Sequence, residues 1–444
     1  MGRECREWYP SVVPDTVAGA RSWFPTAMAP TGSLWRHPDF MRLWVGQTIS
    51  HLGDHVSGLA VGLTAVLLLG AGPAEMGLLG ALSRAPFILV GLFAGVWADR
   101  VRRRPVLVGA DVGRALVTLS IPLAAFGGVL GMPQLYLVAF VDGVLTVFFD
   151  VAYQSYLPVL VSRDRLVEGN SKLEVSRSVT QIAGPSLAGA LVQLLTAPVA
   201  VLLDSVSYVA SVVSLLLIRA PEPAPEPRAA AAPGVWSDIR EGLWTILGNP
   251  LLRPIAATTA TGNLFASIGG AVGLLYAVNE LHFEPWLLGL VFAAGGPGAL
   301  AGALLASRLA RRAGTGRAIV AGQLVATCGL WLTPLAAGPL WAEALMLGAG
   351  GLLIGAGFTT YNINQVSLRQ AIVPLRLQGR MNASMRFLVW GTMPIGALLG
   401  GALGAAIGLR PTLAVGASGA MLAVLWVALS PVWTLREVPA PIEP

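Results

Sequence analysis

Aspartates embedded in apolar stretches are the residues of this sequence best placed to do chemistry, and Asp54 is the sharpest case. It stands about eleven residues into an apolar run that opens at Leu43, roughly 16 Å along a helix and near the middle of a bilayer if the run spans one. His51 shares its helical face, whereas His55 points about 100° away. A carboxyl group at that depth is costly to keep charged, so it is suited to taking up and releasing a proton. Two plainer roles compete: a permanent ion pair with Arg84 of the next apolar run, or a cap on a local kink at Gly53. Asp54, His51 and Arg84 are therefore candidates for proton coupling or substrate contact.

A second set is Asp111, Arg114, Asp142 and Asp150. Counted from the helix ends, Arg114 and Asp150 lie at similar depths, roughly 12–14 Å, and are expected to form a buried ion pair. Asp142 lies deeper without an evident partner and joins the coupling candidates, while Asp204 is read as a packing residue. Aromatic residues (Phe149, Tyr153, Tyr208, Tyr276, Phe358, Tyr361, Trp390) and amides (Asn263, Asn362, Asn364, Gln365) are polar or bulky enough to line an amphipathic cavity. The same residue types also fill or bond the contacts between helices.

Covalent chemistry finds no support. There is no G-x-x-x-x-G-K-[ST] phosphate loop and no serine in a nucleophile-elbow context. No His/Cys cluster has zinc-ligand spacing, and His51 with His55 lacks a third ligand. Cys5 and Cys328 imply no disulfide framework. Neither enzyme activity, metal nor cofactor is expected.

The elements that must position these residues follow from composition. Of 444 residues, 55% are hydrophobic and 12% charged, half the charged share of an ordinary soluble domain, so lipid is the expected solvent. Twelve apolar runs of spanning length are read: Leu43–Leu69, Glu75–Ala98, Pro105–Val129, Pro133–Tyr156, Leu173–Leu195, Pro198–Ile218, Pro254–Val278, Trp286–Leu309, Ala318–Leu335, Trp341–Gln365, Ala383–Ile407 and Pro411–Val432. Most of the basic residues behind the net charge of +6 sit in short clusters between these runs, which argues against nucleic acid as a partner. Loops on one side carry Arg100–Arg104, Arg163, Arg165 and Lys172, Arg308–Arg317, and Arg369, Arg376 and Arg380. On the other side Arg410 is the lone arginine. The positive-inside rule then places both termini in the cytoplasm of a multi-pass cell-membrane protein.

The expected organisation is a disordered cytoplasmic segment over 1–39, with an over-long start and a natural first residue at Met28 as the alternative; a six-helix half over 40–218; a cytoplasmic linker over 219–252; a second six-helix half over 253–433; and a cytoplasmic tail over 434–444. The linker combines the proline-rich Pro221–Gly234 with an amphipathic stretch carrying Trp236, Ile239, Leu243 and Ile246, suited to the membrane surface. The two halves echo each other at a period of about 209 residues, in Trp97–Arg104 against Leu305–Arg312 and Gly184-Pro185 against Met393-Pro394. The fold expected is thus an all-α membrane protein of twelve helices in two halves, with a solute site between them near the midplane.

Specific motifs give that plan a family. Gly95–Arg104 (GVWADRVRRR) resembles the major facilitator signature between the second and third helices: Gly95 allows close packing, and Asp99, Arg100, Arg103 and Arg104 form a gating latch at helix ends. Arg102 replaces the usual glycine, and Ser307 stands in place of the acid in the second half. Gly184–Gly189 (GPSLAG) resembles the end of the antiporter motif through Gly184, Pro185 and Gly189. Gly46–Asp54 (GQTISHLGD), Phe148–Tyr153 (FFDVAY), Arg165–Asn170 (RLVEGN), Leu203–Tyr208 (LDSVSY) and Ser367–Gln370 (SLRQ) resemble the drug:proton antiporter-3 group, with its enterobactin exporters and macrolide efflux proteins. The resemblance implies a monomeric secondary transporter that exports a drug-, macrolide- or siderophore-like amphipathic solute in exchange for protons, with membrane lipid around it. Two alternatives stay open: a lysophospholipid flippase of the same fold, and a non-transporting membrane sensor.

Overall fold

A computed structural model describes residues 33–98, 101–222 and 235–437. Residues 1–32 of the segment expected to be disordered, most of the proline-rich stretch and most of the tail lie outside these residues, whereas 33–39 hold the Leu34–Arg36 turn and the start of a helix at Pro38. Among the described residues every element is helical. Eleven helices are long and apolar enough to cross a membrane: Pro38–Leu68, Arg103–Phe126, Met132–Leu160, Leu166–Leu195, Ala197–Leu217, Leu252–Asn279, Pro285–Ala313, Thr315–Leu335, Leu340–Ile372, Leu377–Ile407 and Leu409–Ala428.

The twelfth, second in chain order, was expected to run unbroken from Glu75 to Ala98. It is instead broken at Val90 into Pro73–Leu89 and Gly91–Ala98. Pro86 inside its first piece has no N–H to donate to the preceding turn, and Gly91 follows the break. Counting both pieces as one, the described residues hold twelve spans, called first to twelfth below.

Sequence punctuation sets where the spans begin. Proline occupies the first turn of five helices, at Pro38, Pro73, Pro133, Pro198 and Pro285, where a missing N–H costs nothing. Glu75 reaches back to the N–H of Gly72 at 2.7 Å and fixes the entry to the second span. Several spans continue past their apolar stretch, notably Leu166–Leu195 and Leu340–Ile372, because polar ends need only a helical register and water.

Alternation of the spans defines two faces. One bears the linker helix Val235–Leu247 together with the Arg163–Arg165 and Pro431–Thr434 turns and is called here the linker face; the other is the far face. The first six spans pack chiefly with one another, as do the last six, and two seams join the groups: second against eleventh, and fifth against eighth. Glycines bring the backbones together toward the far face. A Cβ on Gly77 would sit 2.7 Å from Cα of Gly401, and one on Gly189 would sit 2.8 Å from Cα of Gly289. Nearer the linker face the second–eleventh seam changes character, with Arg84 meeting Met393 and Phe87 meeting Trp390. The seam is a wedge, shut at the far face.

The linker helix was expected on the membrane surface. It docks on the eleventh span: Ile246 is fully buried, Gly242 lies against the Arg380 backbone, and Glu241 pairs with Arg380.

The wedge predicts that Gly401→Leu pries the second–eleventh seam open at the far face. In a chain lacking Cys5 and Cys328, an Arg84→Cys probe should then react with an impermeant maleimide from the far face, where it is shielded without the leucine. Equal labelling with and without Gly401→Leu would contradict this packing.

Candidate functional site

Arg114 of the third span is the centre of the polar chemistry. Its guanidinium is 4% accessible and faces three carboxylates from three spans. Nη2 donates to Asp54 Oδ1 at 2.7 Å, and Nη1 donates to Asp111 Oδ1 at 3.1 Å. Nε stands 3.8 Å from Asp142 Oδ1, an ion-pair distance too long for a hydrogen bond. Tyr208 of the sixth span closes the cluster: its hydroxyl donates to Asp54 Oδ1 at 2.7 Å and accepts from Arg114 Nη2 at 3.0 Å. The guanidinium also lies over the Tyr208 ring at 4.1 Å and over the Phe149 ring at 5.3 Å.

This arrangement corrects the expected partner of Arg114. Asp150 makes no ion pair among the described residues; Asp54, Asp111 and Asp142 take its place. Depth along a helix gives height but not azimuth. Asp142 and Asp150 are eight residues apart on the fourth span, roughly 12 Å and 80° from one another, so one arginine cannot serve both. Arg84 does not pair with Asp54 either: it lies in the second–eleventh seam with Nη1 3.7 Å from the Met393 sulfur.

Asp54 is the most accessible of the three carboxylates on Arg114. Its side chain is 36% accessible while Asp111 is wholly enclosed, so one acid of the cluster can be reached and another cannot. His51 Nδ1 stands 3.5 Å from Asp54 Oδ2, and its ring meets Tyr153 edge-on. Asp142 is 30% accessible. Gly53 is required beside Asp54 because Asp204 and Ser207 of the sixth span occupy the place its Cβ would take. Asp204, held by Ser207 Oγ at 3.0 Å, is fully buried there. Three carboxylates around one guanidinium leave the cluster short of positive charge, which a proton or a cationic solute can supply.

The other singled-out residues separate into groups. Gly184 gives room to the His55 side chain, and five residues on Gly189 meets Gly289, so the Gly184–Gly189 segment with Pro185 links the first span to the far-face seam. Asp99 and Arg100 of the latch lie outside the described residues, as does the surround of Gly95. Arg103 and Arg104 are engaged with the start of the linker and the end of the sixth span. Their backbone N–H groups donate to Glu222, at 2.5 and 3.1 Å, and the Arg104 side chain caps the carbonyls of Leu215 and Leu216.

Two cavity expectations fail: Tyr361 is 1% accessible and bonded to Thr259 at 2.6 Å, and Phe149 is 3% accessible beneath Arg114. Both satisfy neighbours inside one half. Tyr153 is half-buried, and Asn263 donates to the Val389 carbonyl. Asn362 is exposed and accepts from Gln365, and Trp390 lies in the seam against Phe87.

Sequence reasoning did not assign Asp111 and Tyr208 to Arg114. The i, i+3 spacing of Asp111 and Arg114 was a usable signal. For Tyr208, 154 residues from Asp54, none existed.

A bundle of twelve apolar helices in two groups, with a charged cluster inside one and two glycine seams between them, defines a multi-pass membrane transporter. Residues 43–394 match the profile described as Major Facilitator Superfamily, and the chain belongs to that superfamily. Among its relatives is the multidrug efflux pump Tap of Mycolicibacterium fortuitum, 27% identical over 74% of this chain and 80% of that protein. Another is the enterobactin exporter EntS of Escherichia coli O127:H6, 25% identical over 88% and 91%. A bacterial homologue of the iron transporter ferroportin, solved in an inward-facing state, superposes with a TM-score of 0.70 at 18% identity, covering 90% of this chain and 99% of that one.

The buried bridge predicts that Arg114→Gln, which strands up to three carboxylates, destabilises the protein by about 3–5 kcal/mol. A large fall in the thermal midpoint of the purified protein is expected, with a smaller one for Asp150→Asn. Equal falls would restore the Arg114–Asp150 pair.

Proposed function

We propose that this chain exports a small amphipathic solute, of the drug, macrolide or siderophore kind, from the cytoplasm in exchange for protons. The observation that carries the reading is the Asp54–Arg114 bridge: a buried guanidinium joined to a carboxylate that remains 36% accessible. The efflux activities in the names of Tap and EntS support the direction. The arginine bias of the loops supports a cytoplasmic linker face in the cell membrane.

A proton on Asp54 cancels the charge that holds Arg114 Nη2, and it weakens the tie that Tyr208 makes from the sixth span. The first span is then released from the third and sixth. It leans on Gly184 of the fifth span through His55, and the fifth span reaches the second half at Gly189. Protonation therefore biases how the two halves rock, and solute binding in the opening between them biases the same equilibrium. The working unit is one chain.

Uncoupler-sensitive extrusion of a fluorescent amphipathic dye from re-energised cells is the expected activity. Asp54→Asn should abolish it, with the protein still inserted and of normal abundance. Extrusion at the full rate in that variant would remove Asp54 from the mechanism.

A further inference from the structure

The second–eleventh seam contains charges that its packing does not require. One face of the eleventh span runs Arg386, Trp390, Met393, Ala397, Gly401, and it lies against the second span in register. Gly401 meets Gly77, Ala397 meets Gly80, Met393 meets Arg84, and Trp390 meets Phe87 edge-on at 5.6 Å. Arg386 continues the face toward the linker side, its guanidinium 4.6 Å over the Trp390 ring. An arginine thus stands on either side of one aromatic pair: Arg84 a turn before Phe87, and Arg386 a turn before Trp390.

Arg84 lies about eleven residues, roughly 16 Å, from the far-face end of its helix, and Arg386 lies two turns nearer the linker face than Met393, the residue that Arg84 meets. Both side chains are exposed, and neither makes an ion pair among the described residues. A guanidinium near the bilayer midplane without a counter-charge is costly. The sister seam shows that the cost is not one of packing: the fifth and eighth spans meet through Gly189, Gly289, Ile182 and Gly296 without a charge among these contacts. The acids of the charged cluster do not answer the need, because Asp54, Asp111 and Asp142 are already gathered on Arg114.

We propose that Arg84 and Arg386, with Phe87 and Trp390 between them, form a binding subsite for an anionic amphiphile. Its acidic group pairs with the guanidinium groups, and its flat or apolar body lies against the two rings. The wedge admits such a molecule from the linker side, and a ligand seated there joins the two halves across the seam that rocking must part. This names the substrate class of the transporter proposed above and rests on that reading. Equilibrium binding without any gradient tests it separately, because a chain that fails to extrude dye can still bind.

The test uses the purified full-length chain in mild detergent and two xanthene dyes of opposite charge, fluorescein and rhodamine 123, with binding read by fluorescence anisotropy. Fluorescein should bind, and Arg84→Gln and Arg386→Gln should each weaken it at least tenfold. Any rhodamine 123 affinity should change less than twofold, which also controls for folding. Displacement of fluorescein by lysophosphatidylglycerol would identify a lipid headgroup as the source of the anion; resistance to it would identify a soluble amphiphile. Absence of fluorescein binding by the unaltered chain, equal weakening of both dyes, or displacement by inorganic phosphate alone would overturn the assignment.

Discussion

The organisation of the first half depends on a single guanidinium. Arg114 is almost wholly buried, and it is tolerated only because the first, third and fourth spans each present a carboxylate to it and the sixth presents a tyrosine. A charge taken that deep must be compensated by its surroundings, so these helices are held in register by electrostatics as well as by packing. The compensation is uneven. Asp111 is sealed in while Asp54 is reachable, so the two carboxylates of the bridge differ in their access to the surroundings. Gly53 makes this possible by letting the sixth span approach the turn that carries Asp54.

Lipid supplies little force to bring apolar helices together, and small residues do that work between the halves. Glycines meet backbone to backbone toward the far face of both seams, and the second–eleventh seam loosens where bulkier or charged side chains replace them. The linker is tied to both sides. Asp39 accepts from the backbone of Arg219 and Ala220, Glu222 caps the start of the third span, and the linker helix pairs with Arg380 of the eleventh. The linker therefore bridges the two halves at residues far from Asp54.

Much of this could be read in the sequence. Hydropathy and the sign of the loop charges sufficed for twelve spans, because the bilayer imposes helix length so strictly. That Asp54 falls midway along the first span was legible from its place in the apolar run. What stayed hidden was azimuth and tertiary neighbourhood. Arg114 was matched to Asp150 by height, yet the faces of the third and fourth spans present Asp142 instead, and Tyr208 arrives from a span far along the chain. Tyr361 and Phe149 looked like cavity residues by type, but each has its partner within its own half. The break at Val90 was harder to see because a proline inside an apolar run is compatible with either a bent or a broken helix.

The central claim is that the protonation state of Asp54 sets the arrangement of the two halves, and a distance across the linker face tests it most directly. Spin labels at Val167 on the fifth span and Arg311 on the eighth would report that distance by pulsed electron paramagnetic resonance in lipid nanodiscs. The account predicts a distribution that shifts on acidification in the otherwise unaltered chain and is frozen at one arrangement in Asp54→Asn. A distribution that ignores pH in both chains, or follows it equally in both, would contradict the claim.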